Sequence, residues 1–225
     1  MDESKHRPPK SKASSSPVPK AVVSRLSLYL RELQHHVREG QETTNSGQLG
    51  AQLGFTDAQV RKDLAYFGQF GYPGIGYRCD ELIKKIRIIL GTDVQWPVAL
   101  IGVGNLGRAL LGYKGFRHQG FRIAAAFDAN PKMIGRTIEE VAVSDLANLS
   151  EIVQTHNIKL GLLAVPAEAA QTAADQLVAV GIEGILNFAP VTISLPEHVS
   201  QVGIDLAIEL EQLSFAVLKQ RPAAD

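Results

Sequence analysis

The chain has 225 residues, of which 45% are hydrophobic and 20% are charged, a balance typical of a globular protein. No apolar run reaches the roughly 18 residues of a transmembrane helix. The N-terminus also lacks the apolar segment of a secretory signal, so we expect a cytoplasmic protein with no membrane partner. The single cysteine excludes an intrachain disulfide and a cysteine-rich zinc site, and we expect no bound metal.

Charge is unevenly distributed, although the formal net charge is +0. Residues 1–91 carry 14 Lys/Arg against 9 Asp/Glu, whereas residues 92–225 carry 9 against 14. This asymmetry favours contact between the N-terminal part and a polyanion such as nucleic acid, although a basic tail beside an ordinary domain gives the same pattern. Residues 1–19 are rich in Pro, Ser and Lys, and we expect them to form a disordered basic tail.

The segment after the tail has the pattern of a helix-turn-helix. Apolar residues recur at helical spacing over residues 20–39, which predicts an amphipathic helix. Asn45 and Thr56 are each followed by Gln three residues later, as in a capping box, and Gly54 between them allows a sharp turn. Two short capped helices joined by such a turn are the helix-turn-helix signature, and a pair of purely structural helices is the alternative.

Two further segments complete a domain that we place at residues 20–91. Residues 68–78 contain four glycines and one proline, which predicts a wing, a hairpin or a linker. Residues 80–90 have a single apolar face, which predicts another helix, and Gly91 ends it.

The second half alternates short apolar runs with helical patterns, and we place a second domain at residues 92–204. Apolar strands without polar alternation indicate a parallel sheet that is covered on both faces. The predicted strands are 98–103, 121–128, 158–166 and 182–188, with helices beginning at Leu106 and spanning 167–180. Residues 205–225 are assigned to a C-terminal helix, over 205–219, and its tail. Its apolar residues cover more than one face, which suggests a subunit interface.

A glycine-rich loop follows the first of these strands. The six residues Gly102, Val103, Gly104, Asn105, Leu106 and Gly107 form G-x-G-x-x-G between a strand and a helix, which is the context of a dinucleotide-binding loop. Asp128 lies at the end of the next strand, where it suits hydrogen bonds to a ribose and repels a 2′-phosphate. The sequence therefore predicts NAD(H) as the ligand, in preference to NADP(H).

The protein is expected not to be an enzyme. The second half has room for one dinucleotide domain and little else, and none of its histidines lies at the carboxyl end of a predicted strand. The NAD(H) would then act as a signal. Two alternatives stay open, namely an NAD-dependent oxidoreductase with an accessory helical domain and a regulatory module that binds another ligand, such as a CoA ester.

The second helix of the helix-turn-helix carries the side chains expected to read DNA. Val60 and Leu64 must face the core, which leaves four polar or aromatic residues on or near the outward side: Gln59, Arg61, Lys62 and Tyr66. Arg and Gln recognise base edges in the major groove, and Lys binds phosphate. A solvated face on a structural helix is the alternative. Arg25 of the first helix is added to the expected DNA-binding set.

Several segments together resemble the Rex family of redox-sensing transcriptional repressors. The likeness spans about residues 20–218 and is carried by SRLSLYLREL (24–33), QVRKDLAYFGQFGYPGIGY (59–77), IGVGNLGRALLGYKGF (101–116), VPAEAAQTAADQLVAVGIEGILNFAP (165–190) and VGIDLAIELEQLSF (202–215). The resemblance implies an α/β protein with an N-terminal winged helix-turn-helix domain, a Rossmann-type parallel-sheet domain and a C-terminal helix swapped between the subunits of a homodimer. It also implies a repressor that binds operator DNA when NAD+ prevails and is released by NADH.

The resemblance assigns further roles to individual residues. It implies that Arg31, Tyr113 and Asp205 link the helical domain to the nicotinamide end of the cofactor. Loops around the cofactor are implied at Val165, Pro166, Asn187, Phe188, Ala189 and Pro190. The match also covers Gln59, Arg61 and Lys62 in the DNA-reading helix. The chain departs from many relatives at Pro73, where they have a basic residue in the wing, and at Leu206, where some have Phe.

Overall fold

The computed structural model describes residues 18–220, and its chain divides into two compact units between Asp93 and Val94. This boundary lies two residues beyond the expected end of the helical domain. The basic tail expected at residues 1–19 lies outside the described residues, except for Val18 and Pro19. Among the residues 18–220, no helix is both long enough and apolar enough to cross a membrane.

The N-terminal unit contains four helices and a two-stranded sheet among its described residues. Three of the apolar side chains at helical spacing in the first helix, Leu26, Leu30 and Leu33, lie in a common core with those of the later helices, whereas Val37 at the same spacing is exposed. The elements are α1 (Lys20–Arg38), β1 (Thr43–Thr44), α2 (Ser46–Leu53), α3 (Asp57–Ala65), β2 (Tyr77–Arg78) and α4 (Cys79–Leu90). The core includes Leu26, Tyr29, Leu30, Leu33, Leu49, Val60, Leu64, Leu82 and Ile86.

The helix-turn-helix is formed by α2 and α3, and both predicted N-caps are confirmed. The Asn45 side chain accepts a hydrogen bond from the backbone N–H of Gln48 at 2.9 Å, and the Thr56 hydroxyl accepts one from that of Gln59 at 3.1 Å. Gly54 ends α2 in the left-handed conformation, with φ of 73°. These local devices fix the turn that presents α3.

The glycine-rich segment after α3 forms a wing-like hairpin. β1 pairs antiparallel with β2, and Tyr72 and Gly76 exchange backbone hydrogen bonds of 2.7 and 3.0 Å around a tip that contains Pro73. Cys79 follows β2 and is fully buried in the core of the unit. Burial raises the pKa of its thiol above the usual range.

The C-terminal unit is built on a seven-stranded sheet. Six parallel strands lie in the order β6-β4-β3-β7-β8-β9, and β5 joins β6 at the edge as an antiparallel strand. This is the 3-2-1-4-5-6 order of a dinucleotide-binding fold. The strands are β3 (Trp96–Ile101), β4 (Phe121–Phe127), β5 (Thr137–Ile138), β6 (Val141–Ser144), β7 (Leu160–Leu163), β8 (Gly184–Asn187) and β9 (Ser200–Gly203).

Helices cover the sheet on both faces, because neighbouring residues of a strand point to opposite sides. Ala99 and Ile101 of β3 pack into one apolar cluster with α7 and α8, whereas Val98 and Leu100 pack into another with residues of α5 and α6. The helices are α5 (Asn105–Gly112), α6 (Gly115–His118), α7 (Leu149–Thr155) and α8 (Ala167–Ala179). The four predicted strands and the Ala-rich helix are present, although the ends of the strands differ from the expected bounds by up to three residues.

The C-terminal helix α9 (Leu206–Gln220) leaves its apolar side chains exposed to solvent. Leu206, Leu210 and Phe215 are 67%, 66% and 60% exposed. The other exposed apolar residues of this helix are Ile208, Leu213, Val217 and Leu218. A run of this kind on one helix is typical of a surface that is covered in an assembly.

Candidate functional site

The glycine loop has the geometry that its sequence predicts. Gly102 has φ of 94°, and a Cβ there would lie 2.5 Å from the Ala164 carbonyl oxygen. A Cβ at Gly107 would collide with the Gly102 carbonyl oxygen, so this glycine allows α5 to approach the strand. Around Gly104, in contrast, a Cβ would meet no described atom within 4 Å. The second glycine therefore leaves an open space beside the start of α5, where a pyrophosphate would meet free backbone N–H groups.

Asp128 stands directly after β4 and faces the glycine loop. Its Oδ2 accepts a hydrogen bond from the Val103 backbone N–H at 2.7 Å, and its Oδ1 accepts one from the Asn130 backbone N–H at 2.8 Å. The side chain is half-buried, so the rest of its acceptor capacity remains open to a ligand. This carboxylate thus orders the loop and also places a negative charge next to it.

A cleft of about 480 Å³, which we call the first cleft, lies along the glycine loop. The structure brings six predicted residues together in its lining: Gly102, Val103, Gly104, Asp128, Val165 and Pro166. Its volume is within the usual range for ligand pockets. Asn105, Leu106 and Gly107 begin α5 and do not line the cleft.

The first cleft also has lining residues that the sequence analysis did not identify. Arg108 lines it from the first turn of α5, where its Nη2 donates a hydrogen bond to Asn105 Oδ1 at 2.7 Å. The positive charge of Arg108 suits a phosphate group of a ligand. The position of Arg108, one residue after the glycine motif, is the sequence signal that could have identified it. The polar and flexible part of the lining also includes Asn130, Met133, Thr172 and Gln176.

A second cleft of about 450 Å³ gathers four more of the predicted residues, Asn187, Ala189, Pro190 and Asp205. Asn187 is buried, and its amide holds its own loop: Nδ2 donates to the Val191 carbonyl at 2.8 Å, and Oδ1 accepts from the Ala189 N–H at 3.0 Å. This side chain therefore shapes the cleft wall.

Asp205 closes the second cleft at the start of α9. Its Oδ1 accepts a hydrogen bond from the Ala207 backbone N–H at 2.9 Å, so the carboxylate caps the helix. Ile208 and Glu209 of the same helix also line the cleft. The wall thus combines apolar side chains with two carboxylates.

Two further predicted cofactor residues, Phe188 and Tyr113, line neither of these clefts. Phe188 is half-buried and packs against the apolar cluster of β3 and β4. Tyr113 follows α5, is 58% exposed and makes an edge-to-face contact with Phe116 at 5.0 Å. Arg31, the third residue of the expected switch, belongs to the N-terminal unit and lies exposed on α1.

The outward face of α3 carries three of the predicted DNA-binding residues, Arg61, Lys62 and Tyr66, which are all exposed. The Arg61 Nη1 donates hydrogen bonds to Asp57 Oδ2 at 2.7 Å and to Ser46 Oγ at 3.1 Å. The hydrogen bond from Arg61 lowers the pKa of the Asp57 carboxyl. These bonds hold the guanidinium across the starts of both helices, where the positive charge faces solvent.

The other two predicted DNA-binding residues, Arg25 and Gln59, converge on a buried carboxylate. Asp63 is 1% exposed and accepts hydrogen bonds from Arg25 Nε and Nη2 at 2.5 and 2.8 Å, from the Tyr29 hydroxyl at 2.8 Å and from Gln59 Nε2 at 2.7 Å. Burial opposes ionisation of Asp63, but these hydrogen bonds outweigh it and lower its pKa. We call this group the Asp63 cluster.

Family models match both parts of the chain. Residues 17–65 match the model described as "Putative DNA-binding protein N-terminus", and residues 93–191 match the model described as "CoA binding domain". The second description fits the parallel-sheet unit. It also names the ligand class that the sequence analysis kept as an alternative.

Curated relatives and solved structures cover nearly the whole chain. The redox-sensing transcriptional repressors Rex of Pelotomaculum thermopropionicum and Carboxydothermus hydrogenoformans are both 44% identical, over 92% and 89% of this chain and 97% and 96% of their own lengths.

Crystal structures of RSP, a Rex-family repressor, are also similar. The complex with β-NAD+ and operator DNA has a TM-score of 0.86 and 34% identity, and it covers 92% of this chain and 95% of its own. The complex with β-NADH has a TM-score of 0.82 and 32% identity, with 92% and 97% coverage. With its helix-turn-helix, its glycine loop and these relatives, the chain belongs to the Rex family of redox-sensing transcriptional repressors.

Proposed function

We propose that this protein is a transcriptional repressor that binds operator DNA when NAD+ prevails and releases it when NADH occupies the first cleft. The observation that carries the proposal is the open space at Gly104, which lies beside the Asp128 carboxylate in a chain that also carries a helix-turn-helix. Relatives that are 44% identical are repressors, and the similar RSP structures hold NAD+ with operator DNA or NADH.

The first cleft supports NAD(H) as the ligand. The pyrophosphate would lie at Gly104 and the N-terminus of α5, with Arg108 beside it. Asp128 would accept hydrogen bonds from the adenosine ribose, and its charge would repel the 2′-phosphate of NADP(H). A CoA ester is the weaker candidate, because its ribose carries a phosphate that would meet the same charge.

The exposed face of α3 supports operator DNA as the partner. Arg61 and Lys62 are the fifth and sixth residues of the nine-residue helix and lie within its first two turns, and the N-terminal part of this helix approaches base edges in helix-turn-helix proteins. Tyr66 extends this face at the end of the helix. A protein with this function works where DNA is, so we place it in the cytoplasm.

The exposed apolar residues of α9 support a homodimer in which this helix packs against the partner subunit. An operator reader of this kind binds two half-sites about one helical turn apart, so a dimer sets the distance between its two α3 helices. A rotation within the dimer changes that distance and thereby weakens operator binding. Swapping α9 would also carry Asp205 towards the partner subunit.

A charge difference supplies the switch. Oxidised nicotinamide is a cation, and reduced nicotinamide is neutral, so the apolar residues 188–190 would hold the reduced ring at lower cost, whereas the oxidised ring needs a nearby carboxylate, for which Asp205 is the candidate. In our proposal Asp205 pairs with Arg31 in the DNA-binding form, and Tyr113 helps to orient the carboxylate. When NADH binds, the loop of residues 187–190 would close around the reduced ring, and the pairing between Asp205 and Arg31 would break. Linkage then requires operator DNA to weaken NADH binding by the same factor.

The test is an operator titration with each nucleotide. A duplex selected by the protein from a random pool serves as the operator, and its affinity is measured by fluorescence anisotropy with NAD+, NADH, NADPH or coenzyme A. We expect NADH alone to weaken binding by about 5-fold to 150-fold, the usual range of allosteric coupling. Equal effects of NAD+ and NADH would overturn the proposal. Steady consumption of NADH with carbonyl substrates would favour the oxidoreductase alternative.

A further inference from the structure

Asp57 is the first residue of α3, and its two carboxylate oxygens have different partners. Oδ1 accepts a hydrogen bond from the Ala58 backbone N–H at 2.6 Å, whereas Oδ2 accepts one from Arg61 Nη1 at 2.7 Å, one turn later. A carboxylate suits this place, because the N–H groups at the start of a helix carry partial positive charge. The backbone therefore anchors the carboxylate, and the carboxylate anchors the guanidinium.

Two contacts from outside α3 restrict the guanidinium further. Arg61 Nη1 also donates a hydrogen bond to the Ser46 hydroxyl at 3.1 Å, so the first residue of α2 holds the same nitrogen as Asp57. Burial raises the pKa of the Tyr77 hydroxyl, and the nearby positive charge of Arg61 partly opposes that rise, which places Arg61 close to β2. Arg61 is thus held where the starts of α2 and α3 meet the base of the wing.

The bonds to Asp57 and Ser46 leave one edge of the guanidinium available. Both are made by Nη1, and Nε and Nη2 make no hydrogen bond to any residue within 18–220. Nε and Nη2 lie side by side on the edge opposite Nη1, where their two N–H groups are parallel. This edge therefore faces away from the acceptors that hold the group. A guanine offers two acceptors, O6 and N7, to such a pair of donors in the major groove.

The carboxylate of Asp57 favours a base over a phosphate as the partner of Arg61. Contacts to phosphate depend on positive charge, and Asp57 offsets the charge of Arg61 and would itself repel a phosphate. The acceptors of guanine are uncharged, so recognition depends on the orientation of the two donors. A guanidinium that is fixed in direction and reduced in net charge is better suited to a base edge.

We propose that Asp57 is a specificity-determining positioning residue, which holds Arg61 for a bidentate contact to one guanine of the operator and repels the phosphates of other DNA. The inference rests on the proposed function, because it needs α3 to meet base edges. Asp57 itself contacts no base. It acts on specificity through Arg61, and its charge lowers the affinity for sequences that offer Arg61 no guanine.

The first experiment compares Asp57→Asn with Asp80→Asn, since both carboxylates are exposed in the first turn of a helix of the N-terminal unit. Affinities for the selected operator and for a scrambled duplex of equal length are measured by fluorescence anisotropy, with folding checked by thermal melting. We expect Asp57→Asn to bind the scrambled duplex at least as tightly as wild type. The ratio of the two affinities should fall about fivefold, the lower end of the value of one bidentate base contact. Asp80→Asn should keep the wild-type ratio.

An Asp57→Asn protein that keeps the wild-type ratio overturns the proposal, whether the two affinities are unchanged, lowered together or raised together. A weaker affinity for the scrambled duplex overturns it as well, because a merely structural role at the start of α3 would weaken binding to all DNA. Failure of the proposed function is a different result, in which the wild-type protein itself selects no sequence from the pool.

A second experiment asks whether Asp57 acts through Arg61 on one guanine. Comparison of Arg61→Ala with the wild-type protein on singly substituted operators identifies the base pair that Arg61 reads, and we expect guanine there. Replacing this guanine by 7-deazaguanine, which lacks the N7 acceptor, should weaken wild-type binding about fivefold. The same replacement should weaken Asp57→Asn less than about twofold, because the two changes remove one contact and are not additive. Equal losses in the two proteins, a base other than guanine, or no affected position overturns the proposal.

Discussion

Asp128 holds Val103 in place across 25 residues of sequence, since its Oδ2 accepts the Val103 backbone N–H at 2.7 Å. The carboxylate therefore performs one task before any nucleotide arrives, namely to fix the loop in which Gly104 leaves its open space. A second task, contact with the ribose, depends on its negative charge. The two tasks respond differently to substitution.

Asp128→Asn and Asp128→Ala separate these tasks. An Asn oxygen can still accept the Val103 N–H, so the loop should stay ordered while the repulsion of a 2′-phosphate disappears. We expect NADPH to bind Asp128→Asn about tenfold more tightly than wild type, which corresponds to roughly 1.4 kcal/mol of relieved repulsion. Asp128→Ala should lose affinity for both nucleotides. Isothermal titration calorimetry with NADH and NADPH measures both effects, and unchanged NADPH affinity in Asp128→Asn would contradict the assignment.

Gly104→Val should fill the pyrophosphate position without disturbing the fold. The residue has φ of −68°, and a Cβ there meets open space. The variant should melt like wild type within about 0.5 kcal/mol, bind operator, and ignore NADH. Gly107→Val is the contrasting variant, since its side chain collides with the Gly102 carbonyl and should destabilise the unit by about 1–3 kcal/mol or more. Normal NADH sensitivity in Gly104→Val would exclude this loop as the binding site.

Arg61→Ala and Lys62→Ala should weaken DNA binding in different ways. Loss of Arg61 removes about 1–3 kcal/mol of contact to bases or phosphates. Loss of Lys62 should weaken all sequences alike and reduce the salt slope by about one. Lys159→Ala, which removes a half-buried lysine of the C-terminal unit that pairs with Glu183, serves as the control. Anisotropy titrations at several salt concentrations distinguish the variants, and unchanged binding in both would place the DNA on another surface.

Asp205→Ala should abolish the DNA-binding form while NADH binding survives. Removing one member of the proposed Asp205–Arg31 pair leaves the other without its partner, at a cost of up to about 3–5 kcal/mol where the DNA-binding form desolvates that pair. Arg31→Ala should reproduce the DNA defect, and the double variant should be little worse than either single one, because the residues act together. Operator affinity with and without NADH provides the measurement. An Asp205→Ala protein that binds operator normally and still distinguishes NAD+ from NADH would rule out this switch.

Leu213→Asp should convert a dimer into monomers. The side chain is 59% exposed on α9, so the substitution places a charge on the surface that we assign to the subunit interface without disturbing the protomer's own core. Operator affinity should fall with dimerisation, because one α3 helix reads a single half-site. Glu211→Gln on the same helix is the control. Sedimentation velocity reports the state of assembly, and a wild-type protein that sediments as a monomer at every concentration would refute the interface.

Much of the fold is predictable because it depends on short-range patterns. Asn45 and Thr56 cap helices through neighbours three residues away, and the glycine motif follows an apolar strand directly. In the C-terminal unit, the strands that sequence patterns miss are β5, β6 and β9. They are only 2 to 4 residues long, every residue of β9 is exposed, and the three apolar residues of β6 are too few to predict a strand.

The Asp63 cluster shows why the site is harder to predict than the fold. An Asp on an amphipathic helix normally faces solvent, and its burial here depends on Arg25, which lies 38 residues away in sequence. The same limit applies to Asn187, whose type and position suit a ligand but whose amide bonds its own loop. Periodicity assigns a face to each side chain, whereas its hydrogen-bond partner depends on tertiary packing.

The burial of Cys79 limits the reaction of its thiol with oxidants. A thiolate is the reactive form of cysteine, and this thiol is kept protonated and out of reach in the core of the N-terminal unit. Peroxides and disulfides therefore find no accessible thiol to attack in the N-terminal unit while that unit stays folded. In our proposal the protein responds to a bound nucleotide, and its cysteine offers oxidising agents no second route to the DNA-binding unit. Labelling of its single thiol becomes a measure of how often the N-terminal unit opens.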